Sequence, residues 1–457
     1  MNIPCRNPAL FQYELFPRVS CVEVPCVFTA RGLGKECALL PGETYRIYII
    51  PQEENISAVT LEISEYRRYP SVDVRASEDG AVRFTLTLGR EQIYTLRLVR
   101  LSESEPENTL CNFRVFCAGP DLFERTPMRG NTHCHTMFSP DGHEDPYLAA
   151  AYYRQAGFDF LAITDHHTAD GSLEAIRASE EIPSGLSLYI GEEVHVPNPY
   201  IHAVNIGALT EDGCGLDRYY QNHRAEVNEE VSRIAAESVS FLPSGIEPMD
   251  YAWRKWIADT IHRHGGIAVL AHPFWEYEAH NTRDDMFRYL SKEGIYDAAE
   301  IVHGQEPGCP DANMQTAFWN EMRADGIFIT PVGADDAHRR VFDWDYDSSF
   351  NEAYTILFAK DPSFDGFAEA IRGGYSAAVE SYEGAPEHVI STYRLTKYTL
   401  FLLDQYFPEH DALCFEEGRL MRSTYLEGGP KNGEERKQIL ERIGKYAARF
   451  FGRITTT

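Results

Sequence analysis

Positive charge is scarce in this chain of 457 residues: 42 Lys and Arg stand against 70 Asp and Glu, for a formal net charge of −28 with histidine neutral. Nucleic-acid backbones and anionic membranes are gripped by clustered Lys and Arg, so neither is an expected partner. Nowhere does an uninterrupted apolar run reach the roughly 18 residues that a membrane-spanning helix needs. The opening Met1-Asn2-Ile3-Pro4-Cys5-Arg6 has no apolar core of the kind an export signal requires. The 10 cysteines include no Cys-x-x-Cys pair, which argues against a zinc ribbon or a thioredoxin-type motif. Reduced thiols in a cytoplasm are the expectation. No glycine-rich dinucleotide fingerprint is evident, so hydride transfer has no support. Arg31-Gly32-Leu33-Gly34-Lys35 lacks the spacing of a phosphate loop and reads as a plain loop.

Histidine is also missing from the first 132 residues: all 16 lie at position 133 or beyond, and 14 of them between 133 and 338. That segregation suggests a scaffold followed by a chemical domain. The scaffold reads as β. Tyr45–Ile50, Val59–Ile63, Val82–Leu88, Ile93–Val99 and Cys111–Phe116 are short, rich in β-branched and aromatic residues, and separated by turn residues at sandwich-like spacing.

From about residue 131 the pattern changes. Three times a helical segment ends at glycine, an apolar strand follows, and the strand ends in His or Asp. The helices are Tyr147 to Ala156, Tyr251 to His264 and Asn313 to Asp325; the strands are Phe158–Thr164, Ile267–Ala271 and Ile327–Val332. Glycine stops a helix by taking the left-handed conformation after its last turn. Continuous apolar strands alternating with helices predict a buried parallel sheet, with active-site residues at the strands' C-terminal ends. An α/β barrel, regular or distorted, would let residues 200 apart in sequence meet. After about residue 390 the chain becomes helical, with amphipathic segments at Thr392 to Tyr406 and Glu434 to Phe451 that are expected to cover the barrel. The expected architecture is an α/β protein: a β-sandwich-like domain at 1–125, a barrel at 126–385 and a helical extension at 386–457.

The polar residues at those strand ends form a constellation. His133-Cys134-His135 places two imidazoles at i and i+2, on one face if the segment is extended. Ser139-Pro140-Asp141-Gly142 is a turn that can return a carboxylate beside them. Then come Thr164-Asp165-His166, Gly191-Glu192-Glu193, His202, His272, and Asp335-Asp336-Ala337-His338. Six imidazoles and three carboxylates suit Zn²⁺, Mn²⁺ or Fe²⁺ better than Ca²⁺ or Mg²⁺, and they are too many for one ion. Two or three ions sharing a bridging carboxylate would use them all. Such a cluster lowers the pKa of a bound water and clamps attacking and leaving oxygens, which is the chemistry of hydrolysis.

Taken together, His133-x-His135 with Ser-Pro-Asp141-Gly, Thr-Asp-His166, Gly-x-Glu193, Ala-His272-Pro and Asp336-Ala-His338 resemble the signature of the polymerase and histidinol phosphatase (PHP) family. The resemblance covers roughly residues 131 to 380. It implies a distorted (βα)₇ TIM-like barrel with up to three metal ions at its C-terminal rim. By position, His133, His135, Glu193 and Asp336 would hold one ion. Glu193 would bridge to a second held by His202 and His272, and Asp141, His166 and His338 would hold a third. Asp335 competes with Asp336, Glu192 with Glu193, and His195 with His202; the family spacing favours Glu193, and the position two residues before His338 favours Asp336. An upstream β domain is also similar to some members, including those of a carbamate-hydrolase branch.

Further candidates flank the ligand set. Asp165, His167 and His303 are candidate catalytic or orienting groups. Arg339 and Arg340, next to His338, are candidates for an anionic substrate group. His143, His223, His262, His264, His280, His388 and His410 read as surface or packing residues. The expected activity is hydrolysis of a small phosphorylated metabolite. A carboxylic ester or carbamate is the alternative on the same metals, and a nucleic-acid phosphodiester is opposed by the net charge.

Overall fold

The computed structural model describes residues 12–53, 65–101, 108–276, 280–304, 310–339, 352–382, 385–429 and 433–453. The strand expected at Val59–Ile63 lies outside them. The chain divides into two compact units. The first comprises Met1–Arg125 with Phe401–His410 and Glu441–Thr457, and the second Thr126–Leu400 with Asp411–Leu440.

The first unit is mainly β. Its strands are β1 (Tyr13–Phe16), β2 (Val19–Cys21), β3 (Pro25–Gly32), β4 (Thr44–Pro51), β5 (Ser71–Arg75), β6 (Ala81–Thr87), β7 (Gln92–Arg100) and β8 (Asn108–Ala118), with a short α1 (Pro120–Phe123) after them. They form two sheets, ordered β1-β3-β6 and β2-β8-β7-β4-β5. Phe28 and Phe84 face each other across β3 and β6, their rings 5.7 Å apart. They share one core with Ile47, Leu96, Leu98, Phe113 and Val115. Buried and exposed residues alternate along β6, as expected of a sheet with one face on a core. Of the segment Arg31–Lys35, Arg31 and Gly32 end β3, Lys35 opens a short 3₁₀ turn, and Leu33 and Gly34 link the two.

The second unit is mixed α/β. Its elements run β9 (Thr126–Asn131), α2 (Pro146–Gln155), β10 (Phe160–Ala162), α3 (Asp170–Glu181), β11 (Ser187–Tyr189), β12 (Gly191–Val194), β13 (Ala203–Ile206), α4 (Leu216–Asn222), α5 (Arg224–Ser238) and α6 (Pro248–Arg263). They continue β14 (Ile267–Leu270), α7 (Asp284–Lys292), β15 (Ala298–His303), α8 (Pro310–Ala324), β16 (Thr330–Ala334), β17 (Ala353–Ala359), α9 (Phe364–Arg372), β18 (Ser376–Glu380) and β19 (His388–Ile390). The tail forms α10 (Tyr393–Gln405), α11 (Phe407–Glu427) and α12 (Glu434–Phe451), whose residues are shared between the two units.

The described strands of this unit pair as two sheets, β11-β10-β9-β17-β18-β19 and β12-β13-β14-β15-β16. The expected all-parallel pattern holds for β9-β10-β11 and β14-β15-β16, whereas β13 runs against β12 and β14, and β17 runs against β9 and β18. Two isolated parallel bridges, His166 with Glu193 and Cys134 with Ala337, tie the C-terminal ends of β10 and β9 to opposite edges of the second sheet. Leu270 and Val269 belong to different apolar clusters, as do Ala299 and Ala298. The sheet is therefore buried on both faces, which explains its unbroken apolar strands.

Gly157, Gly265 and Gly326 follow α2, α6 and α8 with φ of 95°, 83° and 79°. The first of the three strands starts at Phe160 rather than Phe158, and the third at Thr330 rather than Ile327. The Ile327 N–H donates to Met322 O at 2.9 Å, so the helix cap consumes it. No described helix is long and apolar enough to cross a membrane.

A buried ion pair anchors α11 within this unit. Arg154 Nε donates to Glu417 Oε2 at 2.7 Å, and the side chains are 1% and 0% exposed. Glu417 Oε1 also accepts the Gly185 N–H at 2.7 Å. Removing one partner would strand the other charge away from water. Glu417→Ala is expected to lower stability by about 3–5 kcal/mol in chemical denaturation, and the paired change Arg154→Met/Glu417→Leu to recover most of that loss.

Candidate metal centre

Beyond β9 the chain stays extended through Cys134, whose backbone bridges to Ala337 and whose thiol turns to Ala162 O. His133 and His135 therefore share the other side, with Nε2 atoms 3.2 Å apart. The turn that follows depends on Gly142: a Cβ there would stand 2.0 Å from Thr136 O. It returns Asp141 so that Oδ2 lies 3.3 Å from His166 Nε2 and 3.6 Å from His338 Nε2.

Glu193 is the hub. Its Oε1 lies 2.7 Å from His202 Nδ1 and 3.3 Å from His272 Nε2. Its Oε2 lies 2.7 Å from His166 Nδ1, 3.3 Å from His195 Nε2, 3.4 Å from His133 Nε2 and 3.6 Å from His135 Nε2. Asp336 Oδ1 sits 2.9 Å from His135 Nε2 and 3.2 Å from His133 Nε2. His338 donates from Nδ1 to Asp336 O at 2.9 Å, and its ring stacks 4.2 Å from His135. All nine residues expected as ligands are thus brought to one neighbourhood.

The adjacent carboxylates point elsewhere; for Glu192, within β12, this follows because successive residues of a strand face opposite sides. Glu192 accepts from Leu216 N at 2.5 Å and Asp217 N at 3.2 Å, at the start of α4. Burial, with Asp217 nearby, pushes its carboxyl up to about 8. Asp335 accepts from Asn131 Nδ2 at 2.6 Å and Tyr153 OH at 2.7 Å. Asp165 does not face the cluster: it accepts from Thr136 N at 2.6 Å and Thr136 Oγ1 at 2.8 Å and so pins the loop carrying His135. His195 stands beside His202, their rings 4.1 Å apart, and both reach Glu193.

His167 has φ of 63°, is half exposed, and is held through Nδ1 by Asp217 Oδ1 at 2.9 Å. His303 is buried 5.8 Å from the His272 ring, and neither of its nitrogens has a partner among the described residues. Burial pushes it down to about 3. Arg339 Nη2 donates to His143 Nε2 at 3.0 Å. Arg340 lies outside the described residues.

The donor set fits divalent metal ions. His133 Nδ1 is engaged by Glu300 at 2.8 Å and His135 Nδ1 by Ser139 Oγ at 3.0 Å, so both Nε2 lone pairs point into the same space. Glu193 Oε2 and His166 Nδ1 are 2.7 Å apart, yet both are buried without a well-directed hydrogen bond among the described residues. Atoms aimed past one another at a common point are what a shared cation requires. Triads at this centre with ligand atoms within 4.8 Å of one another include His135/His166/His338, His133/His135/Glu193, His133/His272/Asp336 and His166/Glu193/His195. Burial opposes charge on Glu193, but His133, His166, His202 and His195 outweigh it and hold its carboxyl well below the usual range. His166 is raised to about 10 against its burial, by Glu193 and Asp141. The carboxylates thus draw positive charge to this spot.

Supporting residues went unweighed in the sequence. Glu300 receives His133 and also the His272 N–H at 2.9 Å. A lone carboxylate in the apolar strand Ala298–His303 was its available signal. Ser139 also accepts the His166 N–H at 2.8 Å. Asp217, which also accepts the His195 N–H at 2.9 Å, carries no mark in the sequence.

No protein-family model matches the chain. An uncharacterized protein of Methanocaldococcus jannaschii is 23% identical over 157 residues, or 32% of this chain and 68% of the relative. A solved two-domain protein of Bacteroides vulgatus, containing a predicted PHP-like metal-dependent phosphoesterase, is similar over 56% of this chain and 65% of its own, with 16% identity and a TM-score of 0.37. An amidohydrolase of Chromobacterium violaceum with bound sulfate and no metal matches over 46% of this chain and 87% of its own, with 17% identity and a TM-score of 0.29. These likenesses are remote, and what the centre can do follows from its own residues.

Glu193→Gln and Asp336→Asn are expected to abolish metal retention in elemental assays of purified protein, while Glu192→Gln, one residue away, keeps it. Glu300→Gln is expected to weaken metal affinity about 10–100-fold, the usual cost of losing a ligand's hydrogen-bond partner.

Proposed function

We propose that this chain is a metal-dependent hydrolase, and within that class a phosphoesterase acting on a small phosphorylated metabolite. The observation that carries the reading is Glu193, buried and approached by six imidazoles within 3.6 Å. His133, His135, Glu193 and Asp336 would hold one ion, Glu193, His202 and His272 a second, and Asp141, His166 and His338 a third. Two or three Zn²⁺, Mn²⁺ or Fe²⁺ ions bound there would supply Lewis acidity and offset the charge of a phosphoryl group.

The chain's own groups complete the site. Asp217 holds His167 at Nδ1, which leaves Nε2 as the atom that takes or gives a proton. His303, kept neutral by burial, can offer a ring N–H to a substrate oxygen. Arg339 stands next to His338 and is the candidate grip on an anionic group. We read β9, β10, β12, β13, β14, β15 and β16 as a distorted barrel, since the two isolated bridges complete a ring through them. The eight described cysteines are free, in keeping with a cytoplasmic setting.

Metal-loaded protein is expected to hydrolyse an aryl phosphate with Mn²⁺ or Zn²⁺ and to lose that activity in His135→Ala. His167→Ala is expected to lower kcat by about 10²–10⁴-fold with metal content unchanged. Cleavage of aryl acetates in place of aryl phosphates would move the assignment to carboxylic esters or carbamates.

A further inference from the structure

Beside the metal centre lies a cavity of about 650 Å³ whose chemistry the hydrolytic reading leaves unused. His202 belongs to both. Trp275 joins it in the cavity wall, its ring 5.4 Å from His202 and 5.5 Å from His272. Tyr200, Met249 and Trp253 extend the wall, so the space runs from the ligand cluster onto flat apolar faces.

The charges around this space are committed. Arg254 donates to Asp250 at 3.0 Å, Thr282 Oγ1 at 2.9 Å and Asn281 O at 2.7 Å. Arg283 donates to Gly245 O at 3.2 Å and Asp285 at 2.6 Å. Glu247 accepts the Met249 and Asp250 N–H groups at 2.7 and 2.9 Å, capping α6. His280 Nε2 lies 2.9 Å from Glu276. A second phosphate would meet cations already paired.

Asn281 is different. Its side-chain nitrogen and oxygen are both buried, and among the described residues neither has a hydrogen-bond partner. Its backbone is held at both ends, the N–H by Trp275 O at 2.9 Å and the carbonyl by Arg254. Buried amides are almost always satisfied, so one unmatched at donor and acceptor together, in a residue of the cavity wall, gains hydrogen bonds when its side chain turns to a ligand there.

We infer that this cavity holds the non-reacting half of the substrate, and that this half is a flat, uncharged ring with an amide-like edge. The ring lies against Trp275, and its neighbouring donor and acceptor pair with the Asn281 amide. Naming the occupant as part of a substrate rests on the hydrolase reading; the binding itself does not.

The test titrates 2-quinolone, a flat neutral lactam, and naphthalene, of like size without the polar edge, into the full-length protein as purified. Tryptophan fluorescence reports binding. Quinolone is expected to bind at least about tenfold tighter than naphthalene, and Asn281→Ala to remove that advantage while leaving naphthalene unchanged. Asn281→Asp, which keeps the shape and loses the donor, is expected to show the same loss. Equal binding of the two rings, or quinolone affinity untouched in both variants, overturns the inference. Intact quinolone binding without any ester hydrolysis would support the pocket and sink the hydrolase reading instead.

Discussion

A buried carboxylate organises the chemical half of this protein. Glu193 is almost fully enclosed, and an ion in that position is tolerable only with opposite charge or strong donors around it. Six histidines from β9, β10, β12, the approach to β13 and β14 meet that demand. Five of them follow a strand and His202 precedes β13, so all six lie beside strand ends. The same arrangement that makes Glu193 bearable for the fold creates a place where cations gain more than they lose in hydration.

Around it stands a second ring of acids with a different task. Glu192, Asp335, Asp165 and Glu300 all lie next to ligands or beneath them, and each is consumed by backbone amides, a hydroxyl or an imidazole nitrogen. Their work is mechanical: they set the angle at which rings and loops present themselves. Neighbours along a strand point in opposite directions, so within β12 Glu193 reaches the cluster and Glu192 braces it.

Much of this was legible in the amino-acid order. The three glycines that end α2, α6 and α8 do so with left-handed backbones, and unbroken apolar strands proved to be buried on both faces. The histidine–carboxylate set converges because strand ends are where such residues gather. Other features carried no local mark. The reversed directions of β13 and β17 depend on pairing partners far away. The delayed start of β16 reflects a helix cap that borrows Ile327. Asp217 orients two histidines from a helix whose sequence is unremarkable.

Asp336 has φ of 51°, a conformation that most side chains resist and that aspartate and asparagine accept with little penalty. Here the backbone and the carboxylate make independent demands on a single position. Glutamate would answer the charge but not the bend; asparagine or glycine would answer the bend but not the charge. Very few alternatives satisfy both, so drift at this site is confined to a far narrower alphabet than at His133 or His272, whose backbones make no such claim.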